Sequence, residues 1–160
     1  MIRAMTGDIT KLSDVEYICN AANGKGPMGG GVAAAIARAG GRSIEKDAIR
    51  VCREQDPQEG DLYVTTAGTL PYKAVLHLVT MKNPGGPANY GIVRACLKSL
   101  VQYCQTHGIR KVALPALGTG VGGLSYAKVA DIYKEELSPV EDIEFIVIDI
   151  NKEFISCFGQ

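Results

Sequence analysis

The chain has 160 residues, 46% of them hydrophobic, which is enough to enclose a core without metals or disulfides. Lysine and arginine together number 17, as do aspartate and glutamate, so the formal net charge is zero. A protein that grips a phosphate backbone usually carries a basic excess, so this balance disfavours nucleic acid as a partner. No apolar run approaches 18 residues and the amino terminus lacks a signal-peptide core, so neither a membrane span nor export is expected.

Strand-like and helix-like segments alternate along most of the chain. In chain order, the hydrophobic patterns predict strand 2–5, strand 15–20, helix 32–38, helix 44–53, strand 62–66, strand 74–80, helix 90–106, strand 111–115, helix 125–137 and strand 143–150. Ser43 is the expected N-cap of the second helix, and Asn151 that of a short final helix. Continuous apolar strands fit a mostly parallel sheet covered by helices on both faces, in one domain over 1–160.

The cysteines and histidines predict no metal site. The five cysteines are odd in number and include no C-x-x-C pair, and three of them (Cys19, Cys96 and Cys104) fall in apolar runs. This pattern is typical of reduced, mostly buried thiols in a cytosolic protein. The two histidines, His77 and His107, lack ligand-like spacing, so we expect neither a metal nor a cofactor.

Two loops that follow predicted strands and precede predicted helices are unusually rich in glycine. The first is 23–31 (NGKGPMGGG) and the second is 118–123 (GTGVGG). Glycine lets backbone N–H groups turn toward an anion, and a helix that begins just after the loop adds the positive end of its dipole. Because ligands of open α/β sheets bind beyond the carboxyl ends of strands, the loops predict a phosphate-binding cleft, the alternative being two mere turns.

Two common nucleotide-binding folds fit the sequence poorly. Both loops match G-x-G-x-x-G, but a Rossmann fold places this turn after the first strand and an acidic residue at the end of the second. The acids at that distance here, Glu45 and Asp47, fall in a predicted helix. The P-loop pattern G-x-x-x-x-G-K-[ST] is absent. Both interpretations are therefore disfavoured.

Three polar residues near the strand ends are candidates for ligand contacts. Asp8, in a Gly-Asp turn after the first strand, can accept a hydrogen bond from the exocyclic amine of a base, or it can cap the following turn. Asn20 and Asn23 flank the exit of the second strand. We expect one of the two to tether the backbone and the other to face the ligand.

Several motifs stand together in the order and spacing of one known family. They are Gly7-Asp8-Ile9-Thr10, Asn20-Ala-Ala-Asn23, Gly29-Gly-Gly-Val32, Leu70-Pro71 before the strand with His77, and the PALGTGV segment at 115–121. In combination, and over nearly the whole chain, they resemble the macrodomains. The resemblance implies a three-layer α/β/α sandwich with a mixed, mostly parallel central sheet. It also implies that the ligand is ADP-ribose, free or attached to protein.

The resemblance also assigns roles to individual residues. It places Asp8 on the adenine amino group with Ile9 beside it, and Ile148 where relatives often put an aromatic side chain against the base. It lines the distal ribose with Asn23 and with Gly29, Gly30, Gly31 and Val32. It wraps the diphosphate with the second loop, namely Gly118, Thr119, Gly120, Val121 and Gly122, as far as Gly123.

Two positions depart from the hydrolases of this family. MacroD-type hydrolases carry an aspartate directly after the G-V of the glycine cluster, where this chain has Ala33, although viral hydrolases resemble it in having alanine there. Many hydrolases also carry an aromatic residue where this chain has Gly122, so the distal ribose is expected to lose a wall.

These features leave three functional hypotheses. The first is hydrolysis of mono-ADP-ribose from acyl-linked (Asp or Glu) protein substrates, or of O-acetyl-ADP-ribose, with Asn23 as the catalytic residue and the ligand's own diphosphate orienting a water. The second is a reader module that binds ADP-ribose without turnover. The third, removal of ADP-ribose from nucleic acid, depends on Lys25 in the first loop. The expected partners are ADP-ribose or an ADP-ribosylated protein, and the expected form is a monomer.

Overall fold

Residues 1–159, which the computed structural model describes, contain one six-stranded sheet. Its strands are Ile2–Thr6 (β1), Tyr17–Asn23 (β2), Leu62–Thr65 (β3), Ala74–Met81 (β4), Lys111–Leu114 (β5) and Glu144–Asp149 (β6). The strand order is β1-β6-β5-β2-β4-β3, and every neighbouring pair is parallel except β3 and β4. The predicted mixed, mostly parallel sheet is confirmed.

Helices cover both faces of this sheet. They are Gly31–Gly40 (α1), Arg42–Gln55 (α2), Tyr90–Thr106 (α3), Tyr126–Leu137 (α4) and Lys152–Ser156 (α5), with a short 3₁₀ helix at Ile9–Lys11. Side chains along β6 alternate between two cores: Phe145 and Val147 pack with α3 and α4, and Ile146 and Ile148 pack with α1 and α2. This alternation explains why the strand is apolar at every central position.

Two sequence-based boundaries need correction. β2 does not end at residue 20 but continues through Asn23, because Ala21 and Ala22 pair with β4. α2 begins at Arg42, after Gly41 at φ 95°, so Ser43 is not its N-cap. Asn151 does cap the final helix, since its side chain accepts a hydrogen bond from the backbone N–H of Phe154 at 3.0 Å.

The strand order creates a crevice between β5 and β2. After β2 the chain crosses toward β4 and β3, whereas after β5 it crosses toward β6 and β1. The two loops that leave these neighbouring strands therefore separate in opposite directions. Such a switch point at the carboxyl edge of a parallel sheet is where α/β folds bind ligands.

Most cysteines of this chain lie in the core. All five cysteines are free thiols, and four of them are buried. Among residues 1–159, no group of three His, Cys, Asp or Glu side chains is arranged to hold a metal ion. Within the same range, no helix is long and apolar enough to span a bilayer.

A buried polar network crosses the sheet at His77. The Asn20 amide nitrogen lies 3.1 Å from Nδ1 of His77, and Nε2 lies 2.8 Å from Oγ1 of Thr65. With Asn20 as donor, the ring carries its proton on Nε2 and donates it to Thr65. The ring also stacks on Tyr63 at 4.5 Å. Asn20 therefore faces the core rather than a ligand.

We expect the buried His77 to make folding stability depend on pH. Burial lowers the pKa of His77 to about 3, so the unfolded chain binds this proton more readily than the folded one. The contribution of neutral His77 to the free energy of unfolding is complete above about pH 6.5 and is lost as the pH falls toward 3. Between pH 7 and 4.5 this loss is roughly 2–3 kcal/mol. Urea unfolding of the wild type and of His77→Gln at both pH values measures this loss. An equal pH dependence in both proteins would contradict the assignment.

Candidate ligand-binding cleft

The two glycine loops lie side by side at the carboxyl edge of the sheet. The first glycine loop (residues 23–31) follows β2, and the second glycine loop (residues 118–123) follows β5. β2 and β5 are neighbours in the sheet, paired through Ile18 and Ala113. The crevice between the loops is the candidate ligand-binding cleft.

Asn23 shapes the first half of the first glycine loop. Its Oδ1 accepts hydrogen bonds from the backbone N–H groups of Lys25 at 2.9 Å and Gly26 at 2.8 Å, while its Nδ2 donates to the carbonyl oxygen of Pro27 at 2.9 Å. Gly26 adopts φ 108°, and a Cβ there would lie 2.6 Å from the backbone of Ile49. Asn23 is thus the asparagine that tethers the backbone.

Further contacts hold this loop to the body of the protein. The N–H of Gly24 donates to the carbonyl oxygens of Met81 at 2.9 Å and Lys82 at 3.0 Å. Met28 is 4% exposed, and its N–H donates to Oε2 of Glu45 at 2.7 Å. A bond to a charged acceptor is stronger than one between neutral groups, so the loop is well anchored before its glycine cluster begins.

The glycine cluster, in contrast, is open. Gly29, Gly30 and Gly31 are exposed, and a Cβ built on any of them meets no atom within 4 Å. α1 begins here without a side-chain cap at Gly30, and its first backbone bond runs from the N–H of Ala34 to Gly30. The N–H groups of residues 30–33 therefore have no partner within the helix. Unpartnered amides at the positive end of a helix dipole form an anion-binding site.

Ala33, which follows the glycine cluster, has no polar or ionisable side chain. It is only 9% exposed and packs in the core between the sheet and α1 and α2. A methyl group thus stands where MacroD-type hydrolases carry a carboxylate. Val32, the neighbouring predicted contact, is half-buried at the edge of the same core.

The second glycine loop is a tight turn with its own free amides. The N–H of Gly123 donates to the carbonyl oxygen of Gly120 at 3.1 Å, and the N–H of Leu124 donates to that of Gly118 at 3.0 Å. No backbone hydrogen bond within residues 1–159 uses the N–H groups of 119–122. Thr119, Gly120, Val121 and Gly122, predicted to wrap a diphosphate, therefore have amides available for an anion.

Gly122 is glycine for a steric reason that the sequence does not reveal. A Cβ at this position would lie 2.6 Å from the carbonyl oxygen of Gly118 and 2.8 Å from Cβ of Ala88. An aromatic side chain cannot enter this loop without moving its backbone. A side chain at position 122 would therefore require a different conformation of this loop.

Asp8 follows β1 at the edge of the sheet, three strand positions from β2 and the first glycine loop. Its Oδ1 accepts hydrogen bonds from the backbone N–H of Thr10 at 2.9 Å and from its Oγ1 at 2.7 Å, so Asp8 caps the 3₁₀ helix as one alternative predicted. These bonds lower the pKa of the Asp8 carboxyl and keep it ionised. Both use Oδ1, which leaves Oδ2 for a ligand. The neighbouring Ile9 is 4% exposed, and its carbonyl accepts from the Tyr72 hydroxyl at 3.0 Å.

The end of β6 differs from the expected arrangement. Ile148 is 1% exposed and packs beneath Gly7, so it presents almost no surface to a base. The exposed apolar side chain of this segment is that of Ile150, at 81%. Between them, Asp149 accepts a hydrogen bond from the N–H of Ala116 at 3.1 Å and braces the start of the β5–α4 connection. Ile148 lies on the same face of β6 as Ile146, and both pack in the core with α1 and α2.

Lys25 lies close enough to Asp56 to act on its carboxylate. Lys82 donates to Oδ1 of Asp56 at 2.6 Å and, with a smaller contribution from Lys25, lowers the pKa of the Asp56 carboxyl. Lys25 therefore lies near an acidic partner.

Comparison with known proteins identifies the family. The Macro domain family model matches residues 19–133. A protein of Aquifex aeolicus is 36% identical over 165 residues, which cover 99% of this chain and 96% of that protein. Other relatives are longer: the chain spans 64% of one from Aeropyrum pernix and 31% of one from Mycobacterium tuberculosis. The chain belongs to the Macro domain family.

Solved structures agree with this assignment. The macrodomain of Thermus aquaticus DarG superposes with a TM-score of 0.82 at 31% identity, covering 93% of this chain and 98% of that one. A Trypanosoma brucei macrodomain in complex with ADP superposes with a TM-score of 0.76 at 26% identity, covering 98% of this chain and 66% of that one.

We expect substitutions at two glycines of the second loop to differ sharply. Gly122→Ala places a Cβ against the Gly118 carbonyl and should lower the free energy of unfolding by about 1–3 kcal/mol, the usual range for overpacking. Gly120→Ala, the matched control, adds a Cβ in open space and should cost little. Urea denaturation of both variants compares them. Equal stabilities would contradict the close approach at position 122.

Proposed function

We propose that the protein binds ADP-ribose in the cleft between the two glycine loops. The observation that carries this proposal is the unpartnered N–H groups of residues 30–33 at the start of α1, beside the free amides of residues 119–122. These two groups of amides follow neighbouring strands, and they suit the two phosphates of a pyrophosphate. The ADP in the Trypanosoma brucei macrodomain, which is 26% identical, supports a ligand with an adenosine and two phosphates.

The spacing of the loops supports a long ligand with its base at β1. Asp8 follows β1 and the first glycine loop follows β2, three strand positions away in the sheet. Neighbouring strands lie about 4.8 Å apart, so the two ends of the cleft are about 14 Å apart. In this arrangement Oδ2 of Asp8 accepts from the adenine amine, Ile150 offers apolar surface to the base, and the distal ribose reaches the first glycine loop.

We predict that Asp8→Ala weakens ADP-ribose binding about 10- to 150-fold. This is the range for losing a hydrogen bond to a charged acceptor. Isothermal titration calorimetry measures the change. Asp14→Ala is the control, because Asp14 lies at the other end of the sheet, where its carboxylate pairs with Lys111. Thr10→Val removes the hydroxyl donor to Oδ1 but keeps the backbone N–H donor and leaves Oδ2, and so separates the side-chain bond of Asp8 from ligand binding. Unchanged affinity in Asp8→Ala would refute the adenine contact.

Hydrolysis of an acyl-linked ADP-ribose is a second candidate function for the same site. The unpartnered N–H groups of residues 30–33 are suited to stabilising negative charge that develops during cleavage. With a buried methyl at Ala33, no carboxylate at that position activates water, so the ligand's own diphosphate orients it. Hydrolysis of an ester to Asp or Glu, or of the acetyl ester of O-acetyl-ADP-ribose, releases a carboxylate and needs no strong base. Asn23 acts through the loop that it shapes. If no turnover occurs, the protein is a reader.

The two functions separate in one assay. We expect the wild type to release ADP-ribose from a glutamate-linked substrate, and Asn23→Ala to slow release at least tenfold while still binding ADP, because the loop loses three hydrogen bonds but the α1 amides stay. Asn23→Asp keeps the acceptor for Lys25 and Gly26 and should retain more activity. Absence of release by the wild type would overturn hydrolysis and leave the reader function.

A further inference from the structure

The turn that follows Asp8 is held by a tyrosine from a distant part of the chain. Tyr72 lies just before β4, and its hydroxyl accepts a hydrogen bond from the N–H of Leu12 at 3.0 Å. The same hydroxyl can donate its proton to the carbonyl oxygen of Leu12 at 2.9 Å or to that of Ile9 at 3.0 Å. One phenol therefore binds the backbone at both ends of the short 3₁₀ helix.

Tyr72 is itself firmly placed. Its side chain is 7% exposed and packs in the core with α1 and α2. The next residue, Lys73, donates its N–H to the carbonyl oxygen of Glu16 at 2.8 Å, which ties this segment to the residue before β2. The Tyr72 hydroxyl is thus a fixed point, and the backbone that it binds is fixed with it.

The contacts of this turn leave one carboxylate oxygen of Asp8 for a ligand. Both hydrogen bonds to the Asp8 side chain come from Thr10 and use Oδ1. Burial raises the pKa of the Tyr72 hydroxyl, and the nearby charge of Asp8 adds to this effect, so the hydroxyl keeps its proton. Tyr72 thus holds the backbone beside Asp8 without using the carboxylate.

We infer that Tyr72 is a positioning residue that sets the preference of the cleft for adenine. The inference rests on the proposed binding of ADP-ribose with its adenine at Asp8. A hydrogen bond weakens steeply with poor distance and angle, so Oδ2 of Asp8 recognises the amine only from a fixed turn. The amides assigned to the phosphates follow β2 and β5, and they do not depend on Tyr72.

Calorimetric titration with ADP and with inosine diphosphate (IDP) tests this inference. In IDP an oxygen replaces the amine of adenine, so this position offers no donor to Asp8. We expect the wild type to bind ADP about 10- to 150-fold more tightly than IDP, the range for a hydrogen bond to a charged acceptor. Tyr72→Phe keeps the buried ring without the hydroxyl and should reduce this ratio about 2- to 12-fold, the equivalent of one hydrogen bond.

Two further variants serve as controls. Tyr103→Phe also removes a tyrosine hydroxyl, but Tyr103 stacks on His107 and packs against the opposite core, so the ratio should stay as in the wild type. Asp8→Ala should abolish most of the preference for ADP. Adding Tyr72→Phe to Asp8→Ala should change the ratio no further, because Tyr72 acts through Asp8.

The outcomes distinguish the inference from the function on which it rests. A wild type that binds neither nucleotide overturns the proposed function and the inference together, and equal affinities for ADP and IDP overturn the adenine contact of Asp8. An unchanged ratio in Tyr72→Phe overturns the role of Tyr72 alone. Partial unfolding of this variant removes sites for both nucleotides equally, so it leaves the ratio unaffected. A lower ratio in Tyr72→Phe, but not in Tyr103→Phe, supports the inference.

Discussion

The unpartnered backbone N–H groups at the start of α1 are the feature on which the site depends. These groups have no acceptor within the helix, and they follow or belong to a cluster of three exposed glycines at 29–31. Earlier in the first glycine loop the N–H groups do have acceptors. Asn23 accepts hydrogen bonds from the N–H groups of Lys25 and Gly26, and Glu45 accepts one from that of Met28. The first half of the loop is therefore held by hydrogen bonds, and the N–H groups at its end stay free to bind a ligand. A ligand meets amides that are already oriented, and little ordering of the chain is required on binding.

The sheet topology determines which loops lie beside the amides at the start of α1. Because β5 and β2 are adjacent and their connections leave in opposite directions, the second glycine loop lies beside the first. The loop between β4 and α3 (residues 82–89, the β4–α3 loop) contacts both, through Gly24 on one side and Ala88 on the other, and Tyr90 at the start of α3 accepts a hydrogen bond from Ser125. Three loops from three adjacent strands thus depend on one another, and a change in any one of them alters the shape of the cleft.

Sequence patterns predicted the fold better than they predicted the site. Alternating apolar segments gave the layers and the mostly parallel sheet, since burial on both faces leaves a strong signal. The small residues Ala21 and Ala22 concealed the continuation of β2, because they have low strand propensity and pair only in the tertiary context. The burial of Ile148, which is 1% exposed, was not predicted, because a family motif carries no information on how far a side chain is buried. The contact of Ala88 with Gly122 joins positions 34 residues apart, and no local pattern encodes it.

The zero net charge of the chain has a kinetic consequence for such a site. Attraction by backbone dipoles falls off within a helical turn, unlike the field of a lysine cluster, which reaches about a Debye length into solution. An anionic ligand is therefore not attracted by a net positive charge of the chain. Association should vary less with ionic strength than it does for a strongly basic protein.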